Sequence, residues 1–210
     1  KYTYAEMGVD SNRIIELYIS ALATIEIWLR GYFTSSEATF LTNGVDKGAG
    51  GVYYWYDIDC SAEAPGAIGL IFEPNPVVDT VHLGLRKNGS SDNRITHNTS
   101  DRDLGTGIVG CDTSQICEAY NDLAALHLYL VGYVTSGITF NLNATDVSIT
   151  AVGAWEHMPA LPAGATGGII ENAYGGYQTY RKDGSTEEPW DEVEQVTWAA
   201  AARYCNARSL

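Results

Sequence analysis

The sequence predicts an all-β fold of two antiparallel β-sandwich modules, jelly-roll-like, one complete and one composed of the C-terminal and N-terminal half-modules. Three observations carry this. The 210 residues include 22 Gly and 14 Tyr with only 18% charged positions, where a helical bundle would be rich in Ala, Leu, Glu and Lys. Short segments alternate apolar and polar residues with period two, the period of a half-buried strand. Blocks of the first part of the chain also recur in order about a hundred residues later, the mark of an internal duplication.

The strands follow from the alternation. At 25–30, Ile25, Ile27 and Leu29 face one way and Glu26, Trp28 and Arg30 the other. At 126–131 the inner set becomes Leu126, Leu128 and Leu130, while His127, Tyr129 and Val131 replace the outer set. The duplicated feature is the buried face, as close packing demands. Segment 77–86 alternates with Val81, Leu83 and Leu85 on one side, and 14–19, 53–59, 68–73, 116–120, 148–152 and 176–182 read as further strands. Asn88-Gly89 and Asp183-Gly184 supply hairpin turn chemistry. Pro189 and the acids Asp191, Glu192 and Glu194 read as a helix start over 191–203, with an inserted strand as the other reading.

The repeat sets the organisation. Gly8-Val-Asp-Ser-Asn-Arg-Ile-Ile-Glu-Leu-Tyr18 lies on Gly110-Cys-Asp-Thr-Ser-Gln-Ile-Cys-Glu-Ala-Tyr120 at an offset of 102. Phe40-Leu-Thr-Asn-Gly-Val-Asp46 lies on Phe140-Asn-Leu-Asn-Ala-Thr-Asp146 at 100, and Arg86-Lys-Asn-Gly-Ser90 on Arg181-Lys-Asp-Gly-Ser185 at 95. The turn Pro65-Gly-Ala-Ile-Gly69 is echoed by Gly164-Ala-Thr-Gly167 at 98. Slow drift of the offset is what loop insertions and deletions produce. The order of blocks divides the chain into 1–63, the second half of a module; 64–163, a complete module; and 164–210, a first half. Half a sandwich leaves an apolar face and unpaired edges in water. The halves therefore meet, either within one chain or with the next copy in a head-to-tail, non-closing polymer.

Charge and composition narrow the function. A net charge of −14 opposes a phosphate backbone, so nucleic acid is not expected, and no apolar run reaches membrane-span length. The chain begins at Lys1 without a leader pattern, read as a removed targeting segment or a fragment. Three sequons, at Asn88, Asn98 and Asn143, fall at expected turns, where a glycan is sterically acceptable. The four cysteines contain no CxxC. They read as buried thiols or as two disulfides of an oxidising compartment, and pairing within modules gives Cys111–Cys117 and Cys60–Cys205.

No nucleophile elbow, HExxH, phosphate-cradling loop or dinucleotide fingerprint is present, so no enzyme is expected. Asp10, Asp46, Asp112 and Asp146 recur in both copies, as turn-capping carboxylates or as ligands of one calcium ion per module, the only cofactor considered. Trp28, Tyr129, Tyr53 and Trp55 form either a sugar-stacking surface or a packing seam.

The stretch Arg86-Lys-Asn-Gly-Ser-Ser-Asp-Asn93 and the Leu-x-Gly-Tyr strand at 130–133 resemble modules of uncharacterised microbial or phage surface and fibre proteins. The resemblance covers the central module best and brings no catalytic residue. It implies an extracellular, cell-surface or virion-surface location. The resulting expectation is a structural subunit of an extracellular filament or fibre, its partners being identical subunits. The alternative is a carbohydrate-binding or adhesive protein that is a closed two-domain monomer.

Overall fold

A computed structural model describes residues 8–15, 37–48, 53–76, 81–98, 107–122, 126–146, 161–165 and 169. Eight strands follow in chain order: β1 (Ala38–Asp46), β2 (Trp55–Asp59), β3 (Gly69–Pro76), β4 (Val81–Lys87), β5 (Thr96–Asn98), β6 (Gly107–Gly110), β7 (Ile116–Asn121) and β8 (Leu126–Val134). No helix occurs among the described residues. The strands form two antiparallel sheets, ordered β1-β8-β3-β6 and β2-β7-β4-β5. The first strand pairs with the last, the second with the seventh, the third with the sixth and the fourth with the fifth. This is the pairing of a ribbon of antiparallel strands rolled over on itself, a jelly roll.

Period-two alternation places the core between the sheets. Along β8, Leu126, Leu128 and Leu130 are buried, while His127 is exposed and Tyr129 half-buried. Cys117, Ala119 and Asn121 do the same along β7. These inner residues meet Leu70 and Phe72 of β3 and Ile58 of β2, with Leu83, Leu85, Tyr56 and Tyr133 at the margin. Each such aliphatic or aromatic side chain contributes about 1.5–3 kcal/mol on burial. On β8 a bulge reverses the phase: Gly132 pairs with Ile71 and Leu130 with Phe72, leaving Val131 unmatched. Tyr133 therefore packs on the core, and Gly132 and Val134 turn to the outer face.

The strands expected over 53–59, 68–73, 116–120 and 126–131 are present with adjusted ends, and the one expected over 77–86 is present at 81–87, residues 77–80 lying outside the described residues. Residues 14 and 15 carry no strand. The expectations at 25–30, 148–152 and 176–182 and the helix over 191–203 lie outside the described residues.

Strand pairing crosses the module boundary expected between residues 63 and 64. β1 and β2 lie before residue 64, yet β1 pairs with β8 and β2 with β7. The sandwich thus spans 38–134 and crosses the boundary drawn between 1–63 and 64–163. Without these two strands, β8 and β7 would each present an unpaired edge. A repeat establishes a period but not the point at which a module starts, and the phase is set by the pairing of edges.

Candidate functional site

The two Gly-x-Asp blocks fold into the same turn. Asp10 Oδ1 accepts the amides of Asn12 (2.8 Å) and Ile14 (2.9 Å), and Asp112 Oδ1 accepts those of Ser114 (2.8 Å) and Ile116 (2.9 Å). Backbone bonds close each turn, Arg13 N to Asp10 O (2.9 Å) and Gln115 N to Asp112 O (3.1 Å). Arg13 and Gln115 share a left-handed backbone, φ 66° and 61°. The bond from the Ile14 amide leads in holding the Asp10 carboxyl below its usual range. For Asp112, partial burial pushes upward, but the amides of Ile116 and Ser114 and the side chain of Asn88 outweigh it and the carboxyl is lowered. A third block also repeats: Ala67 N donates to Ala64 O (3.1 Å) beside left-handed Gly66, and Ala165 N to Pro162 O (3.0 Å) beside left-handed Gly164.

These bonds bear on the calcium candidates. The Oδ1 atoms of Asp10 and Asp112 are each committed to two amides, the turn-capping role. Asp46 is used differently: its Oδ1 accepts the amides of Gly48 (2.9 Å) and Leu128 (3.3 Å), and its Oδ2 faces His127 Nδ1 at 2.6 Å. Burial raises the Asp46 carboxyl, but the His127 bond and the two amides leave it lowered. Asp146 is exposed in the segment after β8. The four carboxylates are not gathered, and no group of three or more His, Cys, Asp or Glu suited to a metal ion occurs among the described residues.

The candidate aromatics lie on opposite layers. Trp55, on the outer face of the β2-β7-β4-β5 sheet, extends across Tyr120 towards Gly84, where a Cβ would sit 2.5 Å from its ring. Tyr120 tilts against it at 6.0 Å, and the Arg86 guanidinium stacks 4.1 Å from its centroid. Trp55 Nε1 donates to Asn93 Oδ1 (2.8 Å), and Arg86 is paired with Glu118. One face of Trp55 and its polar edge are thus used inside the fold, which makes it a packing residue with a cation–π partner. His82 pairs with Asp122 on the same sheet. Tyr129 is on the other sheet, stacked on His127 at 5.8 Å. Tyr53 stands exposed with Tyr54 ahead of β2, in a left-handed conformation (φ 54°), its amide donating to Asn121 O (3.1 Å). Trp28 lies outside the described residues.

Residues after β8 return to the sandwich. The Phe140 ring covers the outer face where Gly69 and Gly110 leave room for it. Asn143 Oδ1 accepts from Ser90 Oγ (2.9 Å) and Ser91 N (2.9 Å), and Ala144 N donates to Asp92 Oδ2 (2.7 Å). Gly8 packs on Phe40 as Gly110 packs on Phe140: an added Cβ would lie 2.7 Å and 2.5 Å from the respective Phe Cβ atoms. The motif Arg86-Lys-Asn-Gly-Ser, singled out in sequence, is thus a docking turn. Sequence reasoning missed the glycine–phenylalanine seats, although both partners stood in matched blocks.

The expected Cys111–Cys117 bridge is not formed. Cys60, Cys111 and Cys117 are free buried thiols. β6 and β7 belong to different sheets, so the Asp112 turn carries the two cysteines into opposite layers, and Cys111 Sγ turns to the Ala67 carbonyl (3.2 Å). Burial pushes the thiols up, Cys60 to about 12 and Cys111 to about 11, and Cys117 well above its usual value. Cys205, and with it the Cys60–Cys205 pairing, lies outside the described residues. Among the sequons, Asn88 uses its Nδ2 on Asp112 Oδ2 (2.7 Å) and Ser90 is buried. Asn143 is exposed, and the Asn98 side chain is not among those described.

Comparison with known proteins finds no match: no family model, curated protein or solved structure is similar to this chain. No helix of the described residues is long and apolar enough to cross a membrane.

Proposed function

We propose that the chain is a structural subunit of an extracellular filament or fibre, in which jelly-roll modules are the building blocks and identical subunits the partners. One observation carries this reading: the complete sandwich makes the same contact at both ends of its repeat, Gly8 on Phe40 and Gly110 on Phe140. A seat made twice is what a module built to pack against another copy of itself needs. The role is architectural and involves no catalytic step. Its carboxylates act in turns, and the −14 charge keeps a crowded assembly soluble.

The repeat alone suggests joining through a split module. The strand pairing favours a narrower version, because the central sandwich takes β1 and β2 from its own chain. Strand exchange between copies, if used, is confined to the segments before β1 and after β8. Light scattering across a concentration series, with negative-stain microscopy of native material, tests the proposal. Extended particles that grow with concentration are expected; a monodisperse monomer at the highest concentration overturns it.

A second reading is favoured by the exposed Tyr53-Tyr54 pair, whose left-handed first residue holds both rings clear of the sandwich. Stacking of a sugar ring on them would make the module carbohydrate-binding or adhesive. Glycan-array binding that Tyr53→Ala and Tyr54→Ala abolish would support it. A blank array with the intact protein counts against it.

A further inference from the structure

The four histidines stand in no His-x-His or i,i+4 spacing along the chain, yet the second sheet brings two of them together. His82 on β4 is the register partner of His97 on β5. Leu83, the next residue of β4, pairs with Thr96 on β5 and with Asn121 on β7. Asp122, directly after Asn121, therefore stands on the other side of His82. Its bonds agree: the His82 amide donates to Asp122 Oδ1 (2.9 Å), and His82 Nδ1 pairs with Asp122 Oδ2. Asp122, His82 and His97 thus occupy one transverse row running from β7 across β4 to β5.

The row lies on the outside of the sandwich. Leu83 and Leu85 pack against the core, so period two puts His82 on the outer face. Residues paired directly across two antiparallel strands share a face, with Cβ atoms about 4.5–5.5 Å apart. His97 is placed by this register; its side chain is not among those described. The described side chains thus supply a carboxylate and one imidazole, and the pairing of β4 with β5 supplies the position of the second imidazole.

We propose that the Asp122–His82–His97 row binds one divalent transition-metal ion of the class of Zn²⁺ and thereby ties β5 to β4. Two imidazoles beside a carboxylate suit Zn²⁺, Cu²⁺ or Ni²⁺, whereas Ca²⁺ and Mg²⁺ take oxygen donors. A carboxylate on a histidine Nδ1 fixes the tautomer and ring orientation, as it does for metal-ligating imidazoles. The side chains of His82 and Asp122 are 29% and 17% exposed, so they are held by the fold and still within reach of an ion from solvent. Arg86, four residues along β4, has its charge met by Glu118, and the net charge of −14 favours cations over anions near the surface. The ion would also have structural work. β5 is a sheet edge of three residues, the lower limit of strand length, and an ion shared with β4 pins it. No carboxylate of the repeated Asp turns belongs to this site.

Calorimetric titration of the full, untagged chain with Zn²⁺ tests the site. Binding of one ion per chain is expected, with affinity falling about 10–100-fold in Asp122→Asn, the usual cost of removing the partner of a metal-bound imidazole. His82→Gln and His97→Gln should lose more. His97→Gln changes only the sheet edge, so it reads the site even if His82→Gln disturbs folding. Melting gives an independent readout: Zn²⁺ should raise the melting temperature of the unmodified chain and leave that of His97→Gln where it was. Absence of both binding heat and a Zn²⁺-dependent melting shift in the unmodified chain overturns the proposal. Full affinity in His97→Gln overturns it as well, as does an equal loss in His127→Gln, on the other sheet, or a shift with Ca²⁺ as large as that with Zn²⁺.

Discussion

A single carboxylate organises each repeated turn. Asp112 Oδ1 takes two amides and its Oδ2 takes Asn88, so Asp112→Ala leaves three donors without their acceptor. The expected loss is about 1–2 kcal/mol, read as a lower urea midpoint, whereas Asp112→Asn retains an acceptor and loses less. Because the Asp112, Asp10 and Asp46 carboxyls are lowered from 3.8, their contribution is present above that value and lost as pH falls through the folded pKa. The contribution of these three carboxylates is therefore constant near neutrality and declines below about pH 4. A urea midpoint that held constant down to pH 2 would contradict this. At Gly84 a Cβ would meet both the Trp55 ring and the Arg94 carbonyl, at 2.5 and 2.9 Å. Gly84→Ala should displace the indole from Arg86 and shift its fluorescence, while Gly89→Ala, with open space around it, strains only the backbone.

Strands were legible where alternation ran unbroken, as on β7 and β8. β1 was not recognised because its register slips between Phe40 and Val45, so Leu41, Thr42, Asn43 and Gly44 obey no period. β5, three residues long, offers too short a window for any pattern. The same scale explains the cysteines. Evenness of count suggested bridges, but Cys60 after β2, Cys111 after β6 and Cys117 on β7 enter one core as small apolar side chains. With burial pushing Cys60 to about 12, Cys111 to about 11 and Cys117 well above its usual value, thiolate is scarce and access closed. These three thiols should resist maleimide at pH 7.5 in native protein and react together once it is unfolded; rapid native labelling of any of them would refute the packing. Leu128→Ala, in the same core, should cost about 2–5 kcal/mol, seen as a lowered melting temperature.

For the molecule as a whole, charge and module count act together. A chain carrying −14 repels its copies, and at 0.15 M salt that field is screened beyond about 8 Å. If the chain builds fibres, raising the salt from 0.02 to about 0.3 M should promote association, and assembly that weakens with salt would point to ion pairs at the joint instead. Some features were settled by the sequence itself. The repeat period needed only comparison of the chain with itself, and the Asp turns and the Gly66 and Gly164 turns needed only residues within five positions of one another, since an Asx side chain reaches amides two and four residues on. Tertiary structure decided the rest: where the sandwich starts, which strands close its edges, that Trp55 stacks on Arg86, and that Phe140 is seated on Gly110. Those contacts join residues far apart in the chain, and a periodic pattern is unchanged when its starting point is moved. Only the pairing of real edges selects 38–134.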